Sequence, residues 1–344
     1  MRGPRGRGAA SPGHDRHRPS STQELIHDMS GDHLNRPVHG TVAGAAYVAL
    51  PPTAVDATAS GPTRLMLAWP GFDPPRTAAA LAAAIPMTGV PVWRVYLDLP
   101  GRSPGGLGSG AILETEAIEA YGRAVEQAAA GLPAAVAGLR RDLALPDGPV
   151  ALAGFSAGAA TALLAVARGE VAVSAAAAVA PVVAPARAAR AVERRAGRDR
   201  AWSEAAQELA DRLDLGALAG DIAARDVPLL LVGGARDRVV PAGEVTAFRD
   251  VLQRRGAGAV EHAAFRMGHA LAAEPGTEPR PPITDAVRVD GLLTDWFRER
   301  LADVRPEEPQ AEQWESGQEQ DAAPAAAQVD TDTAPYPAPA PVTR

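Results

Sequence analysis

Val150-Ala151-Leu152-Ala153-Gly154-Phe155-Ser156-Ala157-Gly158-Ala159-Ala160 carries a short apolar run directly into a cluster of very small residues around one serine. An unbroken apolar run of this length, ending at a glycine, predicts a strand over Val150–Phe155 that is covered on both faces. The Ala- and Leu-rich stretch that follows predicts a helix over Ala157–Arg168. A chain that turns this sharply from strand to helix brings the two backbones close together. Gly154, Ala157, Gly158 and Ala159 are small enough to allow it, and the turn would push the Ser156 hydroxyl clear of the sheet. The competing reading is a turn of small residues in which Ser156 merely caps the helix.

The same alternation extends in both directions. Apolar runs at Ala45–Leu50, Arg64–Trp69, Val92–Leu97, Ser174–Val179, Pro228–Gly233 and Val260–Phe265 read as strands. Stretches of helical period fall between them or close the series: Arg76–Ile85, Glu114–Leu143 with a break expected near Pro133, Gly243–Arg255 and Asp285–Leu301. Repeated strand–helix units predict the α/β class, with a mostly parallel central sheet and helices on both faces. Residues 184–226, rich in Ala, Arg and Glu, interrupt the alternation and are expected to be a helical excursion over the sheet edge, either a lid over a pocket or an ordinary crossover.

A serine hydroxyl is a weak nucleophile at neutral pH and needs a base, which in turn needs an orienting group. Only two of the seven histidines, His262 and His269, lie in the patterned core. His262 falls inside the last strand run. His269 lies on the loop just beyond it, at the carboxyl edge of a parallel sheet, where ligands of open α/β folds bind. For the acid, Asp237 follows the end of Pro228–Gly233 and emerges at that same edge, whereas Asp226 precedes the strand. The resulting order is Ser156, Asp237, His269. Acyl transfer also needs two N–H donors for the developing oxyanion. The backbone of Ala157, at a helix N-terminus, is one candidate, and that of Phe72, in the turn Trp69-Pro70-Gly71-Phe72-Asp73, is the other.

These motifs together resemble the serine hydrolases of the α/β-hydrolase superfamily, nearest to the dienelactone-hydrolase and prolyl-oligopeptidase-like esterases. The resemblance spans about residues 41–303. WPGF stands at the oxyanion loop, RVYLDLPGR at the next strand and loop, GFSAG at the nucleophile elbow, GARDRVVP around the acid and RMGHAL around the histidine. Pro70 departs from the histidine that many members carry before the glycine. The resemblance implies a carboxylesterase-like enzyme that cleaves ester or related acyl bonds of a small-molecule substrate, without metal or organic cofactor. An acyltransferase, thioesterase or peptidase could use the same triad, and a catalytically silent binding module could share the fold. A flavodoxin-like or nucleotide-binding reading rests on the glycine-rich run Gly101–Gly110, which lacks the GxxxxGK[ST] pattern.

Composition bounds the chemistry. Of 344 residues, 46% are apolar and 22% charged, as a globular domain requires. There is no cysteine, which excludes disulfides, thiolate metal sites and a cysteine nucleophile. All 34 basic residues are arginine, which excludes a Schiff-base lysine. A net charge of −7 argues against general affinity for nucleic acid or an anionic membrane. Residues 1–40 read as a disordered basic arm without a secretory apolar region, with Met29 as an alternative start, and imply a cytoplasmic protein. Residues 304–344, with eight acidic residues against two arginines, read as a disordered Pro/Ala-rich tail, leaving 41–303 as a single domain. Oligomeric state has no signature here.

Overall fold

A computed structural model describes residues 36–53, 57–100, 117–195 and 201–304. Ten strands and eight helices alternate along these residues. The main sheet holds β1 (Val38–Val42), β2 (Ala45–Leu50), β4 (Leu65–Trp69), β5 (Trp93–Leu97), β6 (Val150–Phe155), β7 (Val173–Val179), β8 (Leu229–Gly234) and β9 (Val260–Phe265) in the order β1-β2-β5-β4-β6-β7-β8-β9. Pairing is antiparallel from β1 through β2 to β5 and parallel everywhere else. A two-stranded ribbon joins β3 (Ala57–Ala59) to β10 (Ala302–Val304).

Strand periodicity sorts the core into two layers. In β6, Val150 and Leu152 pack on one face while Ala151, Ala153 and Phe155 pack on the other, and β4 splits Leu65 and Leu67 from Met66 and Ala68 in the same way. The first face is covered by α2 (Ala117–Asp142), α3 (Ala157–Arg168), α5 (Glu204–Arg212), α6 (Ala219–Ala223) and α7 (Ala242–Arg254). The second is covered by α1 (Ala78–Ala84) and α8 (Thr284–Leu301). With both faces covered, all six residues of β6 and of β8 are buried, which is why these strands read as continuous apolar runs. Edge strand β9 is only half-buried.

Three expectations need correction. The helix over 117–142 does not break: α2 runs through Pro133, carried by Ala129, Leu132, Val136 and Leu139, which pack into the core on either side of it. That continuous apolar stripe outweighs the backbone hydrogen bond that proline removes. The fold also begins before residue 41, because Val38–Gly40 pair with Tyr47–Ala49. At the other end Val304, counted with the tail, pairs with Ala57 in β10. Residues 1–35 and 305–344, and with them the proposed arm, the Met29 start and the bulk of the tail, lie outside the described residues. The excursion between β7 and β8 is helical as expected, comprising α4 (Pro185–Arg195), α5 and α6. No described helix is long and apolar enough to cross a membrane.

Candidate active site

The turn between β6 and α3 has the tight geometry that its residues allow. Ser156 holds φ 55° and ψ −112°, a left-handed conformation that costs a non-glycine residue energy and must be enforced by its surroundings. Its N–H donates to the carbonyl of Val179 at 2.8 Å and its carbonyl accepts from Ala160 N–H at 3.0 Å. The neighbours leave no room for larger side chains. A Cβ on Gly154 would fall 2.2 Å from the Gly158 carbonyl carbon, and one on Gly158 would fall 2.1 Å from the Trp69 carbonyl oxygen. The Ser156 side chain makes no capping bond to α3. The capping alternative therefore fails, and the hydroxyl is available for another partner.

That partner is His269. Its Nε2 lies 2.8 Å from Ser156 Oγ, and its Nδ1 lies 2.7 Å from Asp237 Oδ2. The other oxygen of Asp237 accepts two backbone N–H bonds, from Val239 and Val240, each at 2.8 Å. All three side chains are buried. The loops that carry them are tied together. Ala235 N–H donates to Phe265 O at 2.7 Å and Arg236 N–H to Met267 O at 3.0 Å, which fixes the acid loop to the histidine loop. The Phe155 ring lies 5.3 Å from the imidazole, centroid to centroid, and packs it from the elbow side. The structure thus brings Ser156, Asp237 and His269 together. The two competitors stay apart from them: His262 lies within β9, where its Nε2 has no partner among the described residues, and Asp226 precedes β8.

The Trp69–Asp73 turn rests on the elbow. A Cβ on Gly71 would lie 2.9 Å from both Ser156 Cβ and Phe155 Cδ1, so only glycine lets the loop approach this closely. Phe72 is buried beside it, and Ala157 is fully buried as the first residue of α3, where its N–H has no acceptor one turn earlier in the helix. The Gly71 N–H is already used by Pro75 O at 3.3 Å. The turn is also bound to the histidine loop: Leu271 N–H donates to Pro74 O at 2.8 Å, and Arg76 pairs with Glu274 at 2.6 Å.

A cavity opens at Ser156. Its walls are mostly apolar, with Phe72, Ile118, Val182 and Val239 among them, and Pro185, Ala188 and Ala189 contributed by the stretch 184–226. Two polar residues that sequence reasoning assigned no role also line it, Asp73 and Tyr121. Asp73 Oδ2 is 3.5 Å from His269 Nε2. The Tyr121 hydroxyl is buried without a hydrogen-bond partner among the described residues, and burial pushes the phenol's pKa up, so it remains a protonated donor. Asp73 was within sight as the residue after Phe72; nothing in the helical pattern around Tyr121 marks it. The Gly101–Gly110 run, and the pocket wall expected from residues 101–113, lie outside the described residues. Among the described residues no group of three or more His, Asp or Glu is arranged to hold a metal ion.

No family model and no curated protein matches the sequence. Solved structures do match the fold. TT1662 from Thermus thermophilus aligns with a TM-score of 0.53 at 22% identity, over 76% of this chain and 98% of its own. The acylaminoacyl peptidase of Pyrococcus horikoshii gives 0.53 at 14% identity over 83% of this chain, and a puromycin-hydrolyzing peptidase of Mycobacterium tuberculosis gives 0.53 at 18% over 78%. The chain spans 45% and 40% of those two peptidases. Together with the strand order and the elbow, these similarities establish the α/β-hydrolase fold.

Proposed function

We propose that this protein is a serine hydrolase that cleaves the ester bond of a small acyl compound through an acyl-enzyme on Ser156. The observation that carries this reading is the continuous hydrogen-bonded chain Ser156 Oγ to His269 Nε2 and His269 Nδ1 to Asp237 Oδ2, at 2.8 and 2.7 Å. An anionic Asp237 keeps the proton on Nδ1, which leaves Nε2 as the acceptor facing the serine. As Oγ attacks the acyl carbonyl, its proton passes to Nε2. The carbonyl oxygen becomes an oxyanion held by the N–H groups of Ala157 and Phe72, each donor worth about 2.7–4 kcal/mol of barrier. The imidazolium then gives the proton to the departing alkoxide. Water, deprotonated by the same nitrogen, repeats the attack and frees the acid.

A second reading replaces the ester with an amide. It is favoured by the fold likeness to the two peptidases, and the same groups serve it, since only the leaving atom changes. The apolar walls suit an acyl group in either case. The test is a fluorophosphonate probe together with turnover of p-nitrophenyl acetate. Ser156 is expected to label, and Ser156→Ala to lose both labelling and turnover while its Tm stays near that of the parent. Undiminished turnover in Ser156→Ala overturns the proposal.

A further inference from the structure

Among the described residues Asp73 is the one charged side chain that lines the cavity at Ser156. The side chain is 10% exposed, and the single partner it has among the described residues is His269 Nε2, at 3.5 Å. That distance is too long for a good hydrogen bond, and Nε2 is already engaged with Ser156 Oγ at 2.8 Å. No arginine pairs with the carboxylate among the described residues. A carboxylate this deeply buried needs a cation or several donors to offset its lost hydration. The two distances together also put Oδ2 no further than about 6.3 Å from Oγ, so a group that offsets it must sit beside the nucleophile.

A substrate cation meets both demands. We propose that Asp73 is a specificity-determining residue that receives a primary ammonium group carried on the acyl part of the substrate, so that the enzyme prefers aminoacyl compounds over uncharged acyl compounds. The inference rests on the hydrolase reading of the same site. An α-ammonium lies two bonds from the scissile carbonyl carbon, which matches the separation of Asp73 from the nucleophile. The rest of the cavity completes the recognition. The apolar walls take a short aliphatic side chain, while the Tyr121 hydroxyl, buried and without a partner among the described residues, adds a hydrogen-bonding group. The Phe72 and Tyr121 rings, 5.8 Å apart, both line the cavity.

Alanine methyl ester and methyl isobutyrate differ only in an ammonium in place of a methyl group, and their kcat/KM values, followed by pH-stat, form the test. The wild-type protein is expected to favour the alanine ester by more than a hundredfold, and Asp73→Asn to reduce that ratio at least tenfold. Because the amino ester is intrinsically the more reactive, the change in ratio is the decisive reading. An unchanged ratio, or an equal loss on both esters, overturns the inference; equal loss would make Asp73 a positioning residue for His269. Binding is read separately by protection of Ser156 from the fluorophosphonate. n-Butylammonium is expected to protect the wild-type protein at least tenfold better than n-butanol, and equal protection overturns the inference without needing the variant to fold. Failure of Ser156 to label at all would instead remove the hydrolase reading on which the inference rests.

Discussion

Asp237→Asn is the substitution whose outcome the geometry constrains most tightly. Asp237 Oδ1 accepts the N–H groups of Val239 and Val240 at 2.8 Å each, and Oδ2 faces His269 Nδ1 at 2.7 Å. An asparagine in the same space has only one acceptor oxygen. Two backbone donors compete for it against a single ring nitrogen, so the amide carbonyl must turn to Val239 and Val240, and the NH₂ group must face His269. Nδ1 then becomes the acceptor and the ring proton moves to Nε2, where it points at the serine oxygen that Nε2 was to deprotonate. The structure is preserved and the tautomer is wrong. Loss of the correct tautomer in a serine–histidine–aspartate system costs about 10⁴ in kcat, or about 5.5 kcal/mol of barrier. Steady-state turnover of p-nitrophenyl acetate measures it, with Tm as the control for folding. A variant that folds normally yet keeps more than a tenth of the parental kcat would refute the argument that Asp237 sets the proton's position.

Two further outcomes follow from the packing. Gly71→Ala would place a Cβ 2.9 Å from Ser156 Cβ and Phe155 Cδ1, well inside the roughly 3.5–4.0 Å of ordinary carbon contact. A recoil of about half an ångström by the Trp69–Asp73 turn should lower kcat by roughly tenfold, since about 1 Å of misplacement can cost 10²; an unchanged kcat would show that the turn does not support the reaction. His262 is held below its ordinary pKa of 6.5, first by burial and then by nearby Arg249, with Asp250 opposing. The folded protein therefore binds fewer protons than the unfolded chain in the window just below pH 6.5, and the stability present above it is lost as pH falls toward the lowered folded value. Tm should drop between pH 7 and 5.5, and by less in His262→Gln; equal slopes would remove His262 as a cause.

The strands that build the centre of the sheet were legible in the sequence because burial on both faces leaves them nothing but apolar residues. Val150–Phe155 and Ala157–Arg168 agree to the residue. The segments that were missed have no such signature. β1, VHGTV, buries only Val42, and β3 and β10 are three residues each, formed where residues 57–59 meet the stretch that follows α8. Pro133 misled for the opposite reason: a local rule about proline was outweighed by a tertiary stripe on both sides of it. Propensity speaks for the residue and packing for the element. Where the two conflict inside a long amphipathic helix, packing wins.

The site divides along a similar line. A parallel sheet sends β4, β6, β8 and β9 to the same edge, so the turns after them must meet, and asking which residues follow which strand is enough to find Ser156, Asp237 and His269. That topological rule says which loops converge but nothing about which side chains within a loop turn inward. Asp73 and Phe72 are consecutive residues in one such turn, and an acyl-transfer template asks that turn for a backbone N–H, so the neighbouring carboxylate drew no attention. Its place beside His269 is fixed by bonds such as Leu271 N–H to Pro74 O and Arg76 to Glu274, the latter pair 198 residues apart in the chain. The elements shared by all such folds are therefore what sequence logic recovers, since topology imposes them. The groups proposed to select a substrate are set by the detailed seating of one loop on another, and a carboxylate beside each nitrogen of one imidazole is a feature that only the assembled fold discloses.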